Sequence, residues 1–233
     1  MFGFIDPTYL LLVALPTLVL SMGASWMTKS AFKKYSRQRS ATGLTGAEAA
    51  RRMLDRAGVH DVEVTATRGY LSDHYNPMNK TLALSEAVYS QPSVAAIGVA
   101  CHEAGHAIQH ARHYAPLWAR SALVPVAGIG SNLGVWVMMA GVLFGWANLV
   151  GLGALLFSAV VLFQIVTLPV EFDASARAKE LAFEYGLVTR QEREGVAKVL
   201  NAAALTYIAA AASSILTLLY FLMRAGLLGG RRD

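Results

Sequence analysis

From Ala122 to Val170 the chain carries no charged residue, and this constrains its fold more than any other feature. Roughly fifty residues at about 1.5 Å of helical rise cover two crossings of a ~30 Å hydrocarbon core, not one. The turn between the crossings is expected near Gly145-Trp146-Ala147-Asn148, where an aromatic ring and an amide suit the membrane interface. A second charge-free run, Tyr9 to Met27, follows Asp6-Pro7 and is also long enough to span. A cleaved signal peptide would want a basic leader, whereas only Asp6 precedes this run and Lys29, Lys33, Lys34, Arg37 and Arg39 follow it. The last apolar run, Ala202 to Met223, is rich in Ala and Ser, which permit close helix contacts. Four spans are therefore expected, at residues 8–28, 122–147, 149–169 and 201–223.

Charge placement sets an orientation. Of the twenty Lys and Arg, twelve lie between Lys29 and Arg120 and five between Arg177 and Lys198. The positive-inside rule then puts residues 29–121 and 170–200 on the cytoplasmic side of a multi-pass membrane protein, with the N-terminus outside. Arg231-Arg232 would fall outside, against that rule. The net charge of +5 is explained by these flanks, and no basic stripe interleaved with aromatics suggests a nucleic-acid partner. Cys101 is the only cysteine, so neither an intrachain disulfide nor a thiolate zinc cage can form.

The charged segments read as a small α+β region. Leu44 to Gly58 is an amphipathic helix opened by the capping-box pair Thr45 and Glu48. Val62–Thr65 and Thr81–Leu84 alternate like strands, with a turn at Asn76-Pro77-Met78-Asn79. The stretch from Tyr70 to Tyr75 is expected to be extended, either as an ordinary strand or as an edge that pairs with a substrate backbone. Pro92-Ser93 opens a helix that runs through His113. A separate helix is expected from Glu171 to Tyr185, ending at Gly186. Thr189 and Glu192 repeat the capping-box spacing before the helix that leads into the last span.

His102-Glu103-Ala104-Gly105-His106 lies on the helix after Pro92. Histidines four apart project from one helical face and can grip one Zn²⁺ through two nitrogens, and Glu103 is then placed as general base. In a chain with this many His and Glu a chance match to that pattern is expected at roughly 0.6%. A catalytic zinc needs a third protein ligand. The hairpin of spans returns the chain to the histidine side near Val170, and the first carboxylate there is Glu171, with Asp173 as the rival. Candidates for steadying the transition state or the ligands are His74, Tyr75, His110 and Arg177, with Tyr89 and His113 also conceivable. Three further readings compete with a peptidase acting at the membrane surface. They are a site-2-type intramembrane protease, a proteolytically idle zinc-binding scaffold or chaperone partner, and a metal carrier. The polar run Gln109, His110, Arg112, His113 disfavours the first, and spans free of charge or His disfavour the last.

Cys101 to Gln109, preceded by Ser72-Asp73-His74-Tyr75-Asn76-Pro77 and Leu84-Ser85, resembles the YugP-like family of bacterial neutral zinc metallopeptidases. The likeness continues through Pro116-Leu117, Arg120 and Glu171-Phe172-Asp173-Ala174-Ser175, and so covers most of the chain. The layout is also similar to membrane gluzincins of the HtpX and CAAX-prenyl-protease type. That resemblance implies a mainly α membrane bundle with a small zincin-like domain, located in the bacterial plasma membrane and acting on protein or peptide substrates. It also implies one catalytic zinc held by His102, His106 and Glu171. Relatives of this type carry Asp one turn after the third ligand, where this chain has Ser175, a hydroxyl in place of a carboxylate.

Overall fold

The computed structural model describes residues 6–228. Arg231-Arg232, whose side of the membrane bears on the orientation, lie outside the described residues. The chain is mainly helical with one small sheet. Helix α1 covers Pro7–Tyr35, with a π-helical stretch at Leu10–Ala14. It is followed by α2 (Gly46–Arg56), β1 (Glu63–Thr67), β2 (His74–Asn76), β3 (Thr81–Ser85) and the short α3 (Glu86–Tyr89). Then come α4 (Val94–Ala111), α5 (Ala115–Phe144, π-helical at Gly130–Gly134), α6 (Ala147–Glu184) and α7 (Arg190–Arg224). Helices α1, α5, α6 and α7 are each long and apolar enough to cross a membrane.

The contacts divide the chain into two compact units. The first comprises the residues up to Gly23, Ala119–Leu168, and Thr206 onward. Its interior is built around Val13, Met138, Val150, Ala154, Phe157, Tyr220 and Phe221. The expected turn forms at Gly145, whose φ of 68° places it in the left-handed region. The helices on either side of that turn touch backbone to backbone. A Cβ on Gly130 would meet the Leu156 carbonyl at 2.4 Å, and one on Gly153 would meet the Met138 amide at 2.5 Å. Leu11, Val19, Trp136, Leu143 and Leu155 are all well over half exposed, which suits hydrocarbon rather than water.

The second unit comprises Ala24–Trp118 and Pro169–Leu205. Thr45 and Glu48 form the expected capping box at the start of α2. Glu192 closes the same loop on Thr189 at the start of α7, and it also accepts from the Ala41 amide at 2.7 Å. The sheet order is β1-β3-β2, with β1 parallel and β2 antiparallel to β3, which leaves β2 at an edge. Helix α4, N-capped by Ser93, is buried on every side for most of its length, as an apolar helix through the centre of a core must be.

Three expectations are corrected. The segment Glu171–Tyr185 is not a separate helix, because α6 runs unbroken through Pro169. Proline forfeits one helical hydrogen bond there, but continuing the helix buries Val170, Ala174, Ala178 and Ala182 completely or nearly so. The stretch from Tyr70 to Tyr75 is extended only at its end, since Gly69 and Leu71 both take positive φ, and pairing begins at His74. Helix α4 stops at Ala111, and His113 adopts a φ of 53° beyond the end.

Candidate metal centre

The centre lies wholly within the second unit. His102 and His106, one turn apart on α4, have ring centroids 4.8 Å apart and nearly perpendicular planes. Helix α6 brings Glu171 against them. Its Oε2 lies 3.2 Å from His102 Nε2 and 3.4 Å from His106 Nε2. The three side chains keep only 12%, 8% and 2% of their surface, in the order His102, His106, Glu171. Their donor atoms all fall within 4.8 Å of one another. Two ligands about 2.0–2.1 Å from a tetrahedral zinc are separated by roughly 3.3 Å, so both nitrogen–oxygen distances match edges of that tetrahedron. The donor set of two imidazoles and a carboxylate, with no thiolate, fits a zinc site with a fourth position open.

The helices can approach this closely because residue 105 is glycine. A Cβ there would stand 2.8 Å from the Ala174 carbonyl oxygen and 3.3 Å from its Cα, both backbone atoms of α6. Gly105→Val is therefore expected to force α4 and α6 apart. The cost should be about 1–3 kcal/mol of stability, read by denaturant unfolding, together with weaker metal binding.

The far nitrogens of both rings are held. His102 Nδ1 is 3.1 Å from Ser175 Oγ, one turn beyond Glu171. His106 Nδ1 is 3.0 Å from Oε1 of Gln109. Burial alone would push the His106 imidazole below its ordinary pKa. The hydrogen bond and charge of Glu171, the Glu103 carboxylate and Gln109 outweigh burial and hold it above that value. Glu103 is itself buried, at 8% exposure.

The remaining candidates are dispersed. Asp173 does not join the cluster, because its carboxylate takes Arg177 at 2.5 and 3.2 Å and Gln109 at 2.8 Å. Arg177 makes that ion pair and lies over the Tyr114 ring. His74 Nδ1 is 2.8 Å from the Ser72 carbonyl on an exposed strand. Tyr75 Oη and His110 Nδ1 are 2.8 Å apart, one helical turn past His106. Burial pushes the Tyr75 hydroxyl up to about 12, and burial, then Lys80, pushes His110 down. Two neutral groups thus share this hydrogen bond, and its direction follows the His110 tautomer. Asp73 accepts from the Ser85 amide and hydroxyl, tying the loop before β2 to the end of β3.

The sequence alone assigns Gln109 no role at the centre. The signal is an amide one turn after His106 on a mostly apolar helix, but two of its partners lie some sixty residues away.

Four helices of membrane length and apolarity, together with this buried two-histidine, one-glutamate cluster that could hold a metal ion, are what a membrane zinc peptidase requires. The chain belongs to the family described as "Putative neutral zinc metallopeptidase", whose profile matches residues 9–226. It is 48% identical over 211 residues to the "Putative membrane protease YugP" of Bacillus subtilis (strain 168), an alignment that covers 91% of this chain and 94% of that protein. No solved structure gives a significant match.

Proposed function

We propose that the protein is a membrane-bound zinc-dependent endopeptidase that hydrolyses protein substrates at the cytoplasmic face of a bacterial plasma membrane. The observation that carries this reading is the pair of contacts from Glu171 to the two histidines, each matching an edge of a zinc tetrahedron. In this reading residues 8–28, 122–147, 149–169 and 201–223 lie in the bilayer, and 29–121 and 170–200 form the cytoplasmic zincin-like part. The concentration of Lys and Arg in those two segments supports that orientation.

His102, His106 and Glu171 would hold one zinc. A zinc ion there supplies Lewis acidity, polarising the scissile carbonyl and acidifying water. Glu103 takes the proton from the attacking water and returns it to the leaving amine nitrogen. Ser175 and Gln109 keep the two rings facing inward. His110 pairs with Tyr75 through Nδ1 and, in its Nε2–H tautomer, can steady developing negative charge.

Metal removal tests this reading. Detergent-purified protein should cleave an unfolded polypeptide, lose that activity on treatment with a strong zinc chelator, and regain it on addition of about one equivalent of zinc. Cleavage that persists without metal would contradict the proposal. Bound zinc with no cleavage of any polypeptide would favour the scaffold.

A further inference from the structure

Gln109 is fully buried, so each of its polar atoms must find a partner or carry an unrecovered desolvation cost. All of them do. Nε2 donates to the Val170 carbonyl at 2.8 Å and to Asp173 Oδ2 at 2.8 Å, while Oε1 faces His106 Nδ1 at 3.0 Å. The orientation of this amide follows from its neighbours. A backbone carbonyl only accepts, and Asp173, with both oxygens engaged by Arg177, accepts as well. A flipped amide would set Oε1 against these two acceptors with no hydrogen between them. With Oε1 thus directed at His106, Nδ1 must be the donor. A neutral imidazole that donates from Nδ1 has its lone pair on Nε2, the nitrogen facing Glu171 at 3.4 Å.

His102 differs. Its Nδ1 meets a serine hydroxyl, which can donate or accept and so does not select a tautomer. Gln109 also bonds to the residue immediately before Glu171, so one side chain reaches both the second histidine and the helix that supplies the carboxylate. We infer that Gln109 is the positioning residue of the metal centre. It fixes His106 in the Nδ1–H form and ties α6 to α4 so that three donors converge. This inference rests on the zinc-site reading given above.

Two measurements on the full-length protein in detergent test it. In wild type labelled with ¹⁵N-histidine and loaded with zinc, the nitrogen shifts of His106 should show a protonated Nδ1 and a metal-bound Nε2. The reverse assignment overturns the inference without any mutation. Second, zinc affinity is measured by chelator competition on Gln109→Met, Gln109→Glu and Gln109→Glu/Asp173→Asn. Gln109→Met, which keeps the length but not the acceptor, should bind zinc about 10–100-fold more weakly. Gln109→Glu should also weaken binding, because its carboxylate faces Asp173 and the Val170 carbonyl. Adding Asp173→Asn supplies a donor to that carboxylate and should recover most of the affinity, which a merely space-filling residue 109 would not require. Zinc binding by Gln109→Met as tight as wild type, or no recovery in a folded double variant, overturns the positioning role alone. Absence of zinc binding by the wild type overturns the metal-site reading itself.

Discussion

Glu103→Gln is expected to lower kcat by roughly 10²–10⁴-fold while zinc remains bound. The substitution preserves side-chain volume at a position only 8% exposed, so the packing of α4 should survive. What it removes is the capacity to accept a proton from water and deliver it to the leaving amine. A loss of that size corresponds to about 3–5 kcal/mol of transition-state stabilisation. Metal content is the paired readout. Retained zinc with lost cleavage assigns Glu103 to the chemistry. Cleavage at the wild-type rate would remove it from the mechanism, and inactivity of both proteins would favour the scaffold.

Glu171→Ala should have the larger effect on the metal. It removes one of three converging donors and a negative charge in direct contact with both imidazoles. Changing a residue that merely orients a ligand costs about 10–100-fold in affinity, so losing a ligand should cost at least ~10²-fold, and activity should disappear with the zinc. The apoprotein should still fold, because the helix contact around Gly105 and Ala174 does not depend on the carboxylate. The comparison with Asp173→Ala is informative. If that variant loses zinc while Glu171→Ala keeps it, Asp173 is the third ligand, despite its engagement by Arg177 and Gln109.

Local chemistry made much of this legible in advance. Runs without charge revealed the long helices, since no other element hides so many apolar residues in succession. Both capping boxes form because each reports on a single turn of chain. The histidine pair and Glu171 meet because helical spacing fixes the first two and a hairpin of apolar helices returns the third.

Features that depend on distant packing were not legible. Pro169 reads as a helix boundary, yet the buried face of Val170, Ala174 and Ala178 carries α6 past it. The positive φ values of Leu71 and Lys80 have no marker in those residue types. The role of Gln109 emerges only when Val170 and Asp173 close around it, and Arg177 proves to be the partner of Asp173 rather than of the histidines.

The most direct test of the central claim is zinc-edge X-ray absorption on purified wild-type protein, read together with its metal content. One zinc per chain is predicted, surrounded only by nitrogen and oxygen at about 2.0–2.1 Å, with the scattering signature of two imidazoles. Protein that holds no zinc, or zinc lacking that two-imidazole signature, would contradict the account.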